Sequence, residues 1–283
     1  MVKQHVFKYY FQLMRFDKPI GIYLLLWPTL WSVWAASRGF PSIKILIVFI
    51  LGTILMRAGG CVINDIADRK IDKHVKRTEQ RPLTSGKVSL KEALILFAIC
   101  SVLSFVLVLF LNPMAIKLSF IGIALAIFYP FTKRWINAPQ LVLGLAFAWG
   151  IPMAYAATQE QLPFSCWYLY GLVVILSVAY DTLYAMADKA DDLKIGVKST
   201  AILFGDYDKK IIFILQIIVW LGLLIFGFWQ HYSWIYEAWI FCSIGFFIYQ
   251  QKLIKNREPE KCFKAFLNHH WFVLWVWIGF VIT

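Results

Sequence analysis

Residues 43–72 read IKILIVFILGTILMRAGGCVINDIADRKID, and the fold turns on how this stretch changes character along its length. From 43 to 63 it is apolar except for a few positions, Arg57 the most conspicuous. At 1.5 Å of rise per residue, a helical run of about 20 residues crosses a hydrocarbon core of roughly 30 Å. A backbone in lipid must satisfy its own N–H and C=O groups, and the run is continuous rather than alternating, so it reads as a helix and not a barrel strand. Eight further runs of this kind lie at approximately 19–36, 92–111, 113–131, 139–157, 166–187, 210–229, 232–250 and 267–283. The expectation is an all-α polytopic membrane protein with nine transmembrane helices, built as a single membrane-embedded domain over residues 1–283.

Composition agrees with a lipid environment. The 283 residues are 60% hydrophobic, 18% aromatic and 16% charged, which leaves too little polar surface to cover a soluble globule of this length. The opening MVKQHVFKYYFQLMRFDKP lacks the short apolar core and small-residue site of a cleavable signal, so the first helix is expected to insert and stay. The five cysteines show no CxxC spacing and sit mostly in or beside apolar runs, which marks them as small core residues.

The formal charge of +12 would fit a polyanionic partner, but its distribution does not. With the N-terminus in the cytoplasm, the N-terminal tail and the loops after the second, fourth, sixth and eighth runs hold 24 of the 28 Lys and Arg. The opposite loops hold Arg38, Lys44 and Lys117. That asymmetry is the positive-inside pattern, and basic loops facing anionic lipid account for the excess charge without nucleic acid.

Two acidic clusters end apolar runs on the same, cytoplasmic side. Spacings of three and four place Asp65, Asp68 and Asp72 along one helical stripe with Asn64 at its edge; Asp181, Asp188 and Asp192 share a face at spacings of seven and four. Seven of the ten aspartates lie in these two segments. Like charges on adjacent turns repel, and an Asp near the bilayer centre costs about 3 kcal/mol, so something must compensate. Hard oxygen donors in this number suit Mg²⁺, which binds through a few carboxylates, waters and the phosphate oxygens of a substrate. Each half of the chain thus has a helix with an Asp-rich end and a basic loop, a loose internal repeat.

Basic residues accompany the acids: Arg69, Lys73, Lys76, Arg77 and Arg81 after the first cluster, Lys133 and Arg134 closing the fourth run, and Lys189, Lys194 and Lys198 after the second. Cytoplasmic loops are basic for topological reasons alone, so the better candidates are those within an acidic motif or at a helix end: Arg69, Lys133, Arg134 and Lys189. Arg57 lies about two turns inside the second run, where a guanidinium must pair or face a cavity. It reads equally as a clamp for a substrate carboxylate and as a structural ion pair.

These residues give the chain a resemblance to the UbiA superfamily of intramembrane prenyltransferases, most of all its bacterial 4-hydroxybenzoate branch. The likeness rests on Phe16 to Gly21 with Leu26 to Trp31, on Met56 to Asp72 and Arg81-Pro82-Leu83, on Tyr129 to Arg134, and on Tyr180 to Asp192 running on to Gly205. The resemblance implies nine helices around a central cavity, an inner-membrane location with the site on the cytoplasmic side, and a place in ubiquinone biosynthesis. The implied substrates are a polyprenyl diphosphate and 4-hydroxybenzoate. Asn64, Asp65, Asp68, Asp72, Asp188 and Asp192 would hold Mg²⁺ on the diphosphate, and Arg69, Lys133 and Arg134 would contact phosphate or acceptor.

The chemistry expected of such a site is departure of the diphosphate to leave an allylic cation, screened from water and faced by aromatic rings. Phe128, Tyr129, Tyr180 and Tyr184 are the candidate rings, though in so aromatic a chain each also reads as core or interfacial belt. An aspartate, Asp188 or Asp191, would draw the phenolic proton as the acceptor ring attacks; Asp181 is a further acid of open role. A soluble isoprenyl synthase is disfavoured because the runs are apolar all round, and a secondary transporter because the acids lie at one face rather than mid-membrane. Other acceptors of the superfamily remain the nearest alternative.

Overall fold

In the computed structural model of the chain, which describes residues 2–69, 72–74 and 78–283, every regular element among the described residues is helical. A short helix α1 (Val2–Leu13) precedes α2 (Ile20–Ser37) and α3 (Ile43–Asp68). Next come α4 (Leu90–Val108), α5 (Pro113–Thr132) and two short pieces, α6 (Pro139–Phe147) and α7 (Gly150–Gln159). The long α8 (Phe164–Ile195) is followed by a single turn, α9 (Thr200–Leu203), then by α10 (Asp208–Trp229), α11 (Trp234–Cys242), α12 (Ile244–Leu253) and α13 (Pro259–Val281).

Local chemistry sets the ends. Ser42 Oγ accepts from Ile45 N at the start of α3, Ser89 and Glu92 form a reciprocal capping box on α4, and Asn112 caps α5 with Pro113 in the first turn, where a missing N–H costs nothing. The α8 helix stops at Gly196, whose φ of 69° suits glycine and allows the chain to reverse. Pro28 sits inside α2, a break tolerated in membranes where side chains make up lost backbone bonds; beside it Thr29 Oγ1 donates to Leu25 O at 2.8 Å.

Among the described residues, seven segments are long and apolar enough to cross a membrane: α2, α3, α4, α5, α6 with α7, α8, and Gly205–Trp229. The expected runs 232–250 and 267–283 fall on helices outside that group. α11 and α12 have only 9 and 10 residues, parted at Ser243, whose Oγ bonds back to Ile240 O at 2.6 Å and competes with the helical ladder. α13 has 23 residues but carries Glu260, Lys261, Lys264, Asn268, His269 and His270. A similar interruption between α6 and α7 precedes Pro152, which lacks the N–H needed to continue the ladder.

The long helix α8 is the axis of the bundle and packs on α2, α6, α10 and α13. Its apolar window is 72% buried, against 17% and 11% for α4 and α5, so the latter form the lipid-facing rim. Lipid tails give helices no hydrophobic reason to associate, so specific contacts matter more. Gln216 and Gln250 bond at 2.7 Å, Gln250 donates to Asn268 at 3.0 Å, and Gln251 donates to Gln216 at 3.0 Å, joining α10, α12 and α13. The indoles of Trp239 and Trp275 stack at 4.1 Å, each donating to the other's carbonyl.

Candidate functional site

The ends of α3 and α8 open into one cavity of about 690 Å³, walled also by residues 12–24, the loop at 78–82, the end of α5, α6, the chain at 195–199 and two rings of α13. Asn64, Asp65, Asp68 and Asp72 from the first motif and Asp181, Asp188 and Asp192 from the second all line it, with Arg57, Tyr129, Lys133 and Tyr180. The stripe expected for the first motif holds only to Asp68, where α3 ends. Past it the sequence turns highly charged as the chain leaves the apolar slab, and Asp72 reaches the cavity from a short 3₁₀ turn whose carbonyl accepts from Thr78 Oγ1 at 3.0 Å.

The buried carboxylates of the first motif each meet a protein cation, as burial of charge requires. Arg15 Nη2 lies 2.9 Å from both oxygens of Asp65, Arg81 Nη1 lies 3.1 Å from Asp65 Oδ1 and 2.7 Å from Asp72 Oδ2, and Lys133 Nζ bonds Asp68 Oδ2. Burial draws the Arg81 guanidinium down, but the Asp65 and Asp72 carboxylates more than offset it and raise it above its ordinary value. Asp68 Oδ1 is buried without a hydrogen-bond partner.

Among the described residues no three His, Cys, Asp or Glu are drawn together tightly enough to hold a metal ion as they stand. The donor chemistry nonetheless fits Mg²⁺: carboxylates dominate, one lining carboxylate has a buried oxygen without a hydrogen-bond partner, and the ion takes only part of its shell from protein. Arg15, Arg81 and Lys133 occupy the positive side of these carboxylates, as divalent ions would.

A second cavity, about 430 Å³ and almost wholly apolar, runs between α2, α3, α4, α5, α6 and α7 and shares Arg57, Tyr129 and Phe147 with the first. Arg57 stands at the junction. Its guanidinium lies 5.4 Å from the Phe147 ring centre, and its Nε is buried without a hydrogen-bond partner. Gly21 makes room for it, since a Cβ there would collide with the guanidinium. Tyr180 is wedged against His269 and Phe266, and Tyr184 against Phe266.

Five expected site residues lie off the cavity wall. Arg69 is the residue that ends α3. Arg134 donates to Ala67 O at 2.5 Å and covers the Phe131 ring, tying α5 to α3. Lys189 donates to Gly205 O at 3.2 Å and approaches Asp208, and Asp191 pairs with Lys194 at 3.1 Å on an exposed face. Phe128 is exposed at the rim. Lys76 and Arg77 lie outside the described residues. Arg15 was not visible as a site residue in the sequence: 50 positions separate it from Asp65, and in the N-terminal tail an arginine reads as a topology signal. Its φ of 60°, rare for a side-chain-bearing residue, is the structural sign that it is held in place. Lys198 and Gln140 also reach the cavity.

A sequence model described as the UbiA prenyltransferase family matches residues 25–277. A 4-hydroxybenzoate octaprenyltransferase of Saccharophagus degradans is 54% identical over 96% of this chain and 91% of its own length. Among solved structures, a UbiA homolog from Aeropyrum pernix superposes with a TM-score of 0.80 at 22% identity, covering 92% of this chain and 97% of that one. A UbiA homolog from Archaeoglobus fulgidus bound to GPP and Mg²⁺ gives 0.72 at 17% identity, over 97% and 100%.

Proposed function

The chain belongs to the UbiA prenyltransferase family, and from that premise we propose how its cavity works. The enzyme transfers a polyprenyl group from a polyprenyl diphosphate to the ring of 4-hydroxybenzoate, ortho to the hydroxyl, in ubiquinone biosynthesis. The observation that carries the mechanism is that aspartates from α3 and α8, 113 or more residues apart in the chain, line one polar cavity that shares a wall with an apolar one. The polar cavity suits a diphosphate and the apolar one the start of a prenyl tail, whose remainder can lie in lipid between the rim helices α4 and α5.

The described residues lining the polar cavity include seven aspartates against six lysines and arginines. A diphosphate adds further negative charge, so binding needs additional cations. Asn64, Asp65, Asp68, Asp72, Asp188 and Asp192 would hold Mg²⁺, which when bound neutralises the diphosphate and favours its departure. Arg15, Arg81 and Lys133 then turn from carboxylate to phosphate oxygens, where charge-assisted bonds stabilise the leaving group. Tyr129 and Tyr180 present ring faces to the allylic cation.

Arg57 holds the acceptor carboxylate at the junction of the cavities. The unsatisfied Nε and the lining position support this role, while Arg134 is engaged with a backbone carbonyl. Asp181, within electrostatic reach of Arg57, takes the phenolic proton. A carboxylate already shared with a divalent ion is a poor base, which disfavours Asp188, and Asp191 points to Lys194 outside the cavity. The chain crosses the inner membrane nine times with its N-terminus and the active cavity on the cytoplasmic side, a topology supported by the positive-inside asymmetry.

The test is membranes containing the protein, incubated with Mg²⁺, a range of polyprenyl diphosphates and several aromatic acids, with products read by mass. Transfer to 4-hydroxybenzoate should stop on chelation by EDTA and in Asp68→Ala or Asp188→Ala, with the protein still inserted. Undiminished rates in those variants would remove the metal assignment.

A further inference from the structure

Outside the cavity, one buried carboxylate gathers cations from two other elements. Asp208, at the start of α10, has a fully buried side chain. Arg257, from the turn between α12 and α13, donates Nε to both of its oxygens at 3.0 Å and Nη2 to Oδ1 at 2.7 Å. The same Nη2 reaches Asp206 O at 2.7 Å, and Lys209 Nζ reaches Lys255 O at 2.8 Å, so the two cytoplasmic turns are clasped together. Lys189 of α8 completes the cluster, 3.7 Å from Asp208 Oδ2 and bonded to Gly205 O. Arg257 has a φ of 54°, a left-handed conformation that side-chain-bearing residues seldom adopt without such contacts.

The position of Lys189 gives the cluster its meaning. At 1.5 Å per residue the 32 residues of α8 extend well beyond a hydrocarbon core of roughly 30 Å. Burial along α8 ends at Met186, and from Ala187 to Ile195 its residues are half-buried or exposed. Asp188 and Asp192 lie in that less buried end, where fewer core side chains hold the helix than along the stretch before Met186. Lys189, one residue after Asp188, faces away from the cavity toward Asp208.

We propose that the Asp208–Arg257–Lys189 cluster is a positioning device that holds the end of α8 at the rotation which aims Asp188 and Asp192 into the cavity. This rests on the reading that those two aspartates hold the metal. Asp208, Arg257 and Lys189 are then positioning residues that touch neither substrate nor ion, and Lys189 is cationic for the sake of Asp208 rather than of the diphosphate.

The experiment uses the full-length protein in detergent, with Mn²⁺ in place of Mg²⁺ and a polyprenyl diphosphate present without acceptor, bound Mn²⁺ being measured by electron paramagnetic resonance. Asp208→Asn, Arg257→Gln and Lys189→Met should each weaken Mn²⁺ binding by roughly tenfold, the lower range for losing a group that orients metal ligands. Lys189→Arg should restore it, and Asp208→Asn with Lys189→Met together should lose no more than either alone. If Asp208→Asn is not recovered from membranes, Arg257→Lys, which keeps the charge but not the fork, serves in its place. Mn²⁺ binding within twofold of the parent in the Asp208 and Arg257 variants overturns the proposal, even if their thermal stability falls. So does a loss confined to Lys189→Met, which would place that lysine on the diphosphate. Parent-like Mn²⁺ binding in Asp188→Asn would instead sink the metal reading beneath it.

Discussion

Replacing Arg15 with methionine removes one cation from a buried carboxylate and tests whether protein cations stand in for metal at the first motif. Asp65 is 1% exposed and takes Arg15 on both oxygens. Stripping one partner from a buried ion pair costs about 3–5 kcal/mol when nothing replaces it. Here Arg81 remains 3.1 Å from Asp65 Oδ1, and the Arg15 side chain is 22% exposed, so solvent and Arg81 recover part of the loss. An expected cost of about 2 kcal/mol lowers the unfolding temperature by roughly 4–8 °C in a chain of this size. The prediction lies in the difference between two conditions. Without divalent ions the Arg15→Met protein should unfold that much earlier than the parent in a detergent fluorescence melt. With saturating Mg²⁺ and a polyprenyl diphosphate, the ion supplies the missing charge to Asp65, and ligand binding to the folded state raises both proteins. The gap should then shrink to less than half. An equal gap in both conditions would mean that Arg15 is only a tether for the N-terminal segment, and no gap without metal would mean that Asp65 never depended on it.

Other expectations follow from which side chains face the cavity. Lys133→Ala should raise the KM for the polyprenyl diphosphate by about tenfold, in line with the loss of one charge-assisted bond; Arg134→Ala should leave that KM near the parent value and lower thermal stability, because Arg134 serves Ala67 O. Arg57→Met should raise the KM for 4-hydroxybenzoate by tenfold or more with little change for the diphosphate, measured by varying each substrate in turn. Gly21→Ala should do the same in weaker form, since its methyl group displaces the Arg57 guanidinium without removing it. Asp181→Asn should depress kcat while both KM values hold, as expected of a base used only as the ring carbon reacts.

Much of the fold is legible because lipid allows so few solutions. A run of apolar residues with no alternation has to be a helix, and the Ser42, Ser89 and Asn112 caps stand where the runs begin. What hydropathy does not reveal is where such a run is interrupted. The breaks before Gly150 and at Ser243 arise from a proline two positions on and from a hydroxyl that bonds back to its own helix, local events inside windows that read as uniformly apolar. Nor does it expose a helix such as α13, two of whose polar residues are sheltered by neighbours: His269 is fully buried among Tyr180, Phe247 and Phe272, and Asn268 is taken up by Gln250. The charged part of the polar content that lowers its hydropathy, Glu260, Lys261 and Lys264, is exposed in its first turns.

The acids and the bases of the cavity differ in legibility for one electrostatic reason. An aspartate at a membrane boundary conflicts with the lipid, so its presence in the sequence needs a cause, and Asp65, Asp68, Asp188 and Asp192 stand out by spacing alone. A lysine or arginine in a cytoplasmic loop agrees with the topology, so its presence carries no information about which face it turns to. That ambiguity separates Lys133 from Arg134 and Arg81 from Arg69, neighbours or near-neighbours in sequence of which one meets a carboxylate in the cavity and the other does not. It also hides Arg15, whose partner lies two helices away, and the pairing of Asp208 with both Lys189 and Arg257, which brings three separate stretches of chain together. Cations in this protein are therefore assigned by the carboxylate each one neutralises. In the mechanism we propose, the ones that neutralise cavity aspartates are the ones a diphosphate would recruit once divalent ions took over those aspartates.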